Sequence, residues 1–415
     1  MTAGTTGARM PHRLGVFLLA FGAFAVGTDG YVISGILPSI AADLHISEGL
    51  TGQLVTVFAL SYAVSAPVMM TLTANLERWV VLQSSLGLFL VANLLGALAP
   101  GYGVLMVARV LAGVGAAVFM NSAVAVATSV AGDRHQGRAV SLVVGGLTVA
   151  TAFGVPIGSL VGALGSWRLT LVLITVLAAL SMGGLALALP AAPRPPAVTM
   201  ASRLRVAAQP AVLVAVFINM CAVAGSFVVY TYLAVLTHEV TPLSAAGVSA
   251  VLLVWGVAAA VGSTLGGRLS DRHSPDRTFL SGLTGVLVAF AAMGLVAAAA
   301  PFGAVPTTAA FLLATLVWSA LYWLIPGAQI QRVMGRAPSA PTIAVSISSA
   351  SSYLGVALGG AVGGLTLTAA SSAALPWVGG ALVGCALLIA TTWDRRVTAS
   401  PPATRPVAAL DGTES

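Results

Sequence analysis

Lysine is absent from all 415 positions, and each of the 18 basic residues is arginine. A phosphate-binding glycine loop needs its lysine, so direct ATP drive through such a loop is excluded within this polypeptide. Charge of either sign is scarce: charged residues make up 7% of the chain against 58% hydrophobic ones, where soluble domains carry roughly 25% charged residues. The mean hydropathy is +1.00. These values describe an integral membrane protein. Cysteine is nearly missing too. Cys221 and Cys385 lie in apolar stretches without CxxC spacing or a histidine cluster, which makes them packing residues; no metal and no cofactor is expected. No His, Ser or carboxylate cluster forms a catalytic set, so a membrane enzyme or sensor is the remotest reading.

What is present is a series of apolar segments of about 20 residues or more, enough to cross roughly 30 Å of hydrocarbon as helix. Six occupy approximately 14–38, 50–72, 80–99, 103–130, 138–162 and 168–189; six more occupy 211–236, 245–267, 278–300, 308–331, 342–368 and 375–393. Arg9, His12 and Arg13 before the first run resemble a signal peptide, but that run is too long for one, and it is expected to stay as span one. Between the two sets of six, Pro193, Pro195, Pro196, Arg194, Arg203 and Arg205 break helices and hold the chain in water. The expected layout is an all-α integral membrane protein of twelve helices in two six-helix bundles. It comprises an amino terminus at 1–13, a first bundle at 14–190, a linker at 191–210, a second bundle at 211–393 and a disordered tail at 394–415.

The formal charge of +7 reads as topology and not as a nucleic-acid surface. Sixteen arginines fall in the amino terminus, alternate breaks, the linker and the tail, whereas the opposite breaks hold Asp43, His45, Glu48, His238 and Glu239 with Arg168 as their sole arginine. The positive-inside rule then puts both termini in the cytoplasm. Two six-span halves joined on that side are the plan of parallel-repeat carriers, with a substrate site near the midplane. A channel would more often be assembled from repeated pore-lining subunits.

Within this apolar background Asp29 is the only acidic residue inside an apolar segment. A carboxylate at membrane depth is costly unless paired, protonated or wet, so such groups mark ion, proton or substrate pathways. Asp29 lies nine residues before Pro38, roughly 14 Å from the expected outer end of span one, and Arg109 lies roughly 10 Å into span four. The two can reach similar depths. A carboxylate sharing a network with Arg109 can hold a proton or engage polar groups of a substrate, but not both at full strength, and that competition produces antiport. A static neutralising pair is the plainer alternative. A lone carboxylate suits a proton better than a dehydrated Na⁺.

Four stretches carry a resemblance. Span four reads LMVARVLAGVGAA, with Arg109, Gly113 and Gly115; span five reads FGVPIGSLVG, with Gly154, Pro156 and Gly158. The break after span eight reads GSTLGGRLSDR, with Gly262, Gly266, Arg268, Asp271 and Arg272; span one reads GTDGYVISGILPSIAADL. Over about residues 14–393 the chain resembles the major facilitator superfamily, in particular the twelve-span drug:proton antiporters that include sugar-efflux and chloramphenicol-resistance exporters. The resemblance implies that spans one and four are neighbours, that Gly154, Pro156 and Gly158 form a hinge or seal between halves, and that the loop motifs latch helices in one conformation. The alternatives for these two are ordinary small-residue packing in span five and charges that only anchor a loop at the lipid headgroups. The first-half loop, LTANLERWVVL with Glu77 and Arg78, departs from the general pattern but is similar to the subgroup's variant. Asp29 stands where that subgroup usually has Glu.

The implied function is export of a small organic compound, an antibiotic, sugar or related metabolite, in exchange for protons, by a monomer in the cell membrane. A facilitator or importer is the alternative. Asn121, Tyr230, Trp318 and Tyr322 are the candidate substrate contacts, offering an amide and stacking surfaces in an apolar cavity. With no acid in the second-half spans, a neutral, zwitterionic or mildly amphipathic compound fits better than a multiply charged cation.

Overall fold

A computed structural model of the chain describes residues 12–73, 75–131, 136–188, 205–299 and 305–394. The expected amino terminus up to residue 11, most of the linker and the tail beyond 394 lie outside them, as do Arg9, Arg134, Arg194, Arg203, Arg395, Arg396 and Arg405. Among the described residues, twelve helices are long and apolar enough to cross a membrane. Spans one to six are His12–Leu44, Glu48–Leu72, Arg78–Ala97, Tyr102–Ala131, Gln136–Leu164 and Trp167–Ala188. Span seven is Pro210–Tyr230 with a continuation Leu233–Val240, and span eight is Ala245–Arg272. Span nine is Pro275–Ala299, span ten Val305–Tyr322 with Ile325–Arg336, span eleven Pro341–Ala369 and span twelve Leu375–Ile389. Leu98, Leu164, Leu187, Val305 and Leu365 are among the large apolar side chains left exposed, as a lipid-facing surface requires.

Each six-helix half repeats one set of pairings. Span one packs on five and six, two on four, and three on four and six; span seven packs on eleven and twelve, eight on ten, and nine on ten and twelve. The halves meet mainly through span two against eleven and span five against eight. Glycine makes this approach possible, because tight helix contact without a hydrophobic driving force rests on small residues. Gly49 lies against the Gly364 carbonyl, and a Cβ on Gly256 would collide with the Thr151 carbonyl.

Tyr232, in the break of span seven, fills the groove that Gly52, Gly363 and Gly364 leave open, and its hydroxyl donates to the carbonyl of Gly360 at 2.8 Å and of Gly49 at 3.4 Å. Ser249 Oγ donates to Ser159 Oγ at 3.0 Å, and the Tyr62 and Tyr353 rings stack with centroids 3.5 Å apart. These contacts lie between mid-depth and the arginine-poor end. Toward the arginine-rich end the glycine contacts stay within a half: Gly146 on Ala20, and Gly262 and Gly266 on Ala320 and Leu324. The conformation is therefore closed at the arginine-poor end. The lone arginine of that end, Arg168, pairs with Asp43 at 2.5 Å and donates to the Ala99 carbonyl at 3.1 Å.

Because the Gly256 contact is with backbone, a larger side chain there must part the halves. Overpacking of this kind costs about 1–3 kcal/mol, or a shift of roughly 5- to 150-fold in a two-state population. Gly256→Leu is expected to raise the rate at which an aqueous maleimide labels Ser159→Cys in a Cys221→Ser/Cys385→Ser background. Unchanged labelling would show that this contact does not hold the arginine-poor end shut.

Candidate functional site

Asp29 sits near the middle of span one. Pro38 does not end that helix, which continues to Leu44, so Asp29 lies about 22 Å from the helix end at 1.5 Å per residue, deeper than its distance from Pro38 implies. The side chains of Asp29 and Arg109 are 0% and 2% exposed, and Arg109 Nη1 donates to Asp29 Oδ1 at 2.6 Å. Arg109 Nη2 also approaches the Asp29 carbonyl at 3.4 Å. The guanidinium lies 4.4 Å over the ring of Phe58 on span two, a cation–π contact strengthened by burial. Asn93 on span three borders the same carboxylate. Four helices thus converge on one ion pair.

The pair is incompletely satisfied. Asp29 Oδ2 and Arg109 Nε are buried without a hydrogen-bond partner among the described residues. An ionised carboxylate accepts through both oxygens, so the free one can take a proton, a water or a substrate donor with no rearrangement of the first.

The motif glycines explain how the pair comes together. A Cβ on Gly113, one turn beyond Arg109, would stand 2.5 Å from the Phe58 carbonyl, and one on Gly115 would stand 2.9 Å from Phe89 N of span three. Both glycines let span four lie directly on its neighbours, and Phe58 offers its backbone to Gly113 and its ring to Arg109. In span five, Gly154, Gly158 and Gly162 face Thr28, Val32 and Ile36 of span one, two stripes with the same spacing of four. This glycine face packs inside the first half. Contact with the second half is made instead by the neighbours Thr151, Ala152 and Ser159. Span five has a π-helical stretch at Ala150–Gly154 just ahead of Pro156. Proline supplies no N–H, and wide turns of this kind occur at such points. Thr28, next to Asp29, touches Gly154, so the bend adjoins the ion pair.

The loop motifs divide differently from their sequence pattern. Gly262 and Gly266 dock span eight on span ten, while Asp271 accepts from Gln331 Nε2 at 3.4 Å. Arg268, Arg272 and Glu77 are exposed and form no ion pair with another described residue; Arg78 is buried as the first residue of span three. The second-half charge latch is Asp276 with Arg332 at 2.7 Å and Arg336 at 3.4 Å, joining spans nine and ten. Arg332 also donates to Gln329 and covers the Phe279 ring at 3.8 Å. The sequence signal for it was two arginines and an aspartate at the ends of adjacent spans, without a motif around them.

Of the substrate candidates, Asn121 is half-buried and donates to the Ala117 carbonyl at 2.9 Å. Tyr230, Trp318 and Tyr322 are buried in one aromatic cluster with Tyr31, Phe227, Trp255, Phe290 and Trp323. Tyr230 donates to the carbonyl of Tyr31 across the halves at 3.3 Å. The structure brings these three together but keeps Asn121 apart from them on span four.

Comparison with known proteins agrees with this architecture. The chloramphenicol resistance protein of Streptomyces lividans is 31% identical over 395 residues, 94% of this chain and 98% of its own length. The inner membrane transport protein YdhP of Escherichia coli K12 is 32% identical over 376 residues, 89% and 93% of the two chains. A crystal structure of a D-xylose-proton symporter superposes with a TM-score of 0.75 over 91% of this chain and 96% of that one, at 16% identity, a likeness of fold. The family model of the Major Facilitator Superfamily matches residues 19–341, and the chain, a multi-pass membrane transporter of small molecules, belongs to that superfamily.

Proposed function

We propose that this transporter exports a small organic compound in exchange for protons, with Asp29 as the proton carrier and Arg109 as the partner that holds its charged form. The observation that carries this reading is the fully buried Asp29–Arg109 pair with one carboxylate oxygen left free. The name of the Streptomyces relative, a chloramphenicol resistance protein, supports export of an antibiotic-like compound. In the proposed orientation the arginine-rich end is cytoplasmic, both termini are inside, and the protein works as a monomer in the cell membrane. The present conformation is then the inward-facing one. Asp29 has lost its proton, is paired with Arg109, and the substrate enters from the cytoplasm. In the opposite state a proton from outside neutralises Asp29, weakens the pair and favours substrate release.

The bundle 14–190 would carry the coupling pair and the bundle 211–393 the larger part of substrate recognition, with 191–210 as their link. Gly154, Pro156 and Gly158 serve as the hinge, since a bend in span five moves Thr28 and its neighbour Asp29 together. Gly262, Gly266, Arg268, Asp271 and Arg272, with Glu77 and Arg78 opposite, gate the cytoplasmic side.

Asp29→Asn in proteoliposomes is expected to abolish accumulation driven by an imposed pH gradient while leaving downhill exchange of the same compound. Intact uphill transport in that variant would sink the proton role of Asp29. Removing one partner of a buried pair leaves an uncompensated charge and costs about 3–5 kcal/mol. Arg109→Ala is therefore expected to lower unfolding stability by that order, and Asp29→Asn combined with Arg109→Ala to recover most of it. A double variant no more stable than Arg109→Ala would mean that the charge on Asp29 is not what Arg109 offsets.

A further inference from the structure

Three tryptophans in the second half present hydrogen-bond donors that the protein does not use. Trp255 and Trp318 are 1% and 0% exposed and Trp323 is half-buried, and the indole nitrogen of each is buried without a partner among the described residues. Indole N–H is a donor only, so nothing but an acceptor can satisfy it. The rings form one group: Trp255 lies 6.0 Å from both Trp318 and Trp323 by centroid and 4.3 Å from Tyr230, which meets Tyr31 of span one at 5.9 Å. The cluster therefore reaches the seam between the halves at the depth of the closed contacts.

The backbone is also open there. Span ten is interrupted at Trp323 and Leu324, and Pro326 supplies no N–H, so the carbonyl of Tyr322 loses its usual helical donor. Irregular backbone at membrane depth persists where it is buried in protein, as here, or lines a cavity, and interrupted spans border transport sites. No charged residue occurs between Ala245 and Gly267 or between Val305 and Gln331. The environment is aromatic, donor-rich and neutral.

We infer that Trp255, Trp318 and Trp323 form the substrate-recognition wall, donating three indole hydrogen bonds to a neutral, ring-bearing organic compound rich in acceptor oxygens such as carbonyl, nitro or ether groups. The ring of the compound lies against the aromatic cluster, which supplies stacking area, and the donors fix its orientation. This assignment rests on the export reading. It divides the work: the first half holds the charged pair, and the second holds the uncharged ligand.

The test uses the full chain in proteoliposomes with chloramphenicol as the neutral acceptor-rich probe, ethidium as a planar cation and D-xylose as a sugar without an aromatic ring. Trp255→Phe, Trp318→Phe and Trp323→Phe keep a ring and remove the N–H. The expected result is counterflow of chloramphenicol and not of ethidium, with KM raised about three- to ten-fold in each variant, the effect of one neutral hydrogen bond. In wild-type protein carrying ¹⁵N-labelled tryptophan, chloramphenicol is expected to shift the indole N–H signals of these three and not of the other four of the 7 tryptophans. That readout does not depend on any variant folding.

An unchanged KM in all three variants, or absent signal shifts, overturns the assignment in favour of bound water. Transport of ethidium or D-xylose without chloramphenicol overturns the substrate class. If the Phe variants lose affinity but Asp29→Asn still accumulates chloramphenicol on a pH gradient, the proton reading falls and this wall stands. If none of the three probes is moved, the substrate class assigned to this wall falls, while the proton role of Asp29 is judged on whatever compound the protein does move.

Discussion

The structure depends on burying one ion pair. Arg109 and Asp29 are buried, and two desolvated charges are tolerated only when they meet in good geometry with further polar contacts. The short Nη1–Oδ1 bond requires spans one and four to touch, and the ring of Phe58 must lie beneath the guanidinium. Those positions follow from glycine. Gly113 lets span four rest on the Phe58 backbone, Gly115 lets it rest on span three, and Gly154, Gly158 and Gly162 press span five onto the side of span one that begins next to Asp29. A methyl group at Gly113 or Gly115 meets backbone of the neighbouring span and displaces a helix that the pair needs in place.

Much of this was legible in the chain because the relevant signals are local. Length and composition give twelve spans, arginine gives the alternation of ends, and a single acid in an apolar run marks Asp29. RxxxGxG on span four is legible for the same reason: the arginine and the two glycines that position it lie within two turns. What was not legible depends on partners distant in sequence. Nothing around Asp276 or Arg332 marks them as a pair, and Tyr232 reads as an ordinary aromatic until Gly49, Gly52, Gly360, Gly363 and Gly364 from two other spans surround it. Pro38 misleads for a simpler reason. A proline removes one hydrogen bond, which the neighbouring turns of span one can absorb, so the helix continues for six residues beyond the apparent stop.

The two ends of the molecule are held by different physics. At the arginine-poor end the halves are joined by backbone proximity, with Gly256 on Thr151, Tyr232 in its glycine groove and Ser249 on Ser159. Such contacts are short-ranged and are made or lost as a unit, because packed helices are bistable and not continuously deformable. Toward the arginine-rich end the latch between spans nine and ten is ionic and remains within the second half. Opening one end and closing the other therefore need not break that latch. It requires the halves to separate along the glycine seam, with the π stretch of span five and the breaks in spans seven and ten as the points where helices can bend.

These bends adjoin the residues with unused polar capacity. The π stretch ends at Gly154 against Thr28, next to the free oxygen of Asp29, and the break in span ten holds Trp323, with its unpartnered indole. A buried group without a partner is costly in a rigid fold. In a carrier it can be stabilising in another state, where a proton or a ligand completes it. The Asp29 carboxylate and the Trp323 indole thus each have irregular backbone beside them, so that filling these two groups and bending the helix can be coupled by proximity and not by a long relay. Under the proposed cycle the first half responds to charge on Asp29 and the second to the acceptors of its ligand, and the seam between them is the element that both can shift.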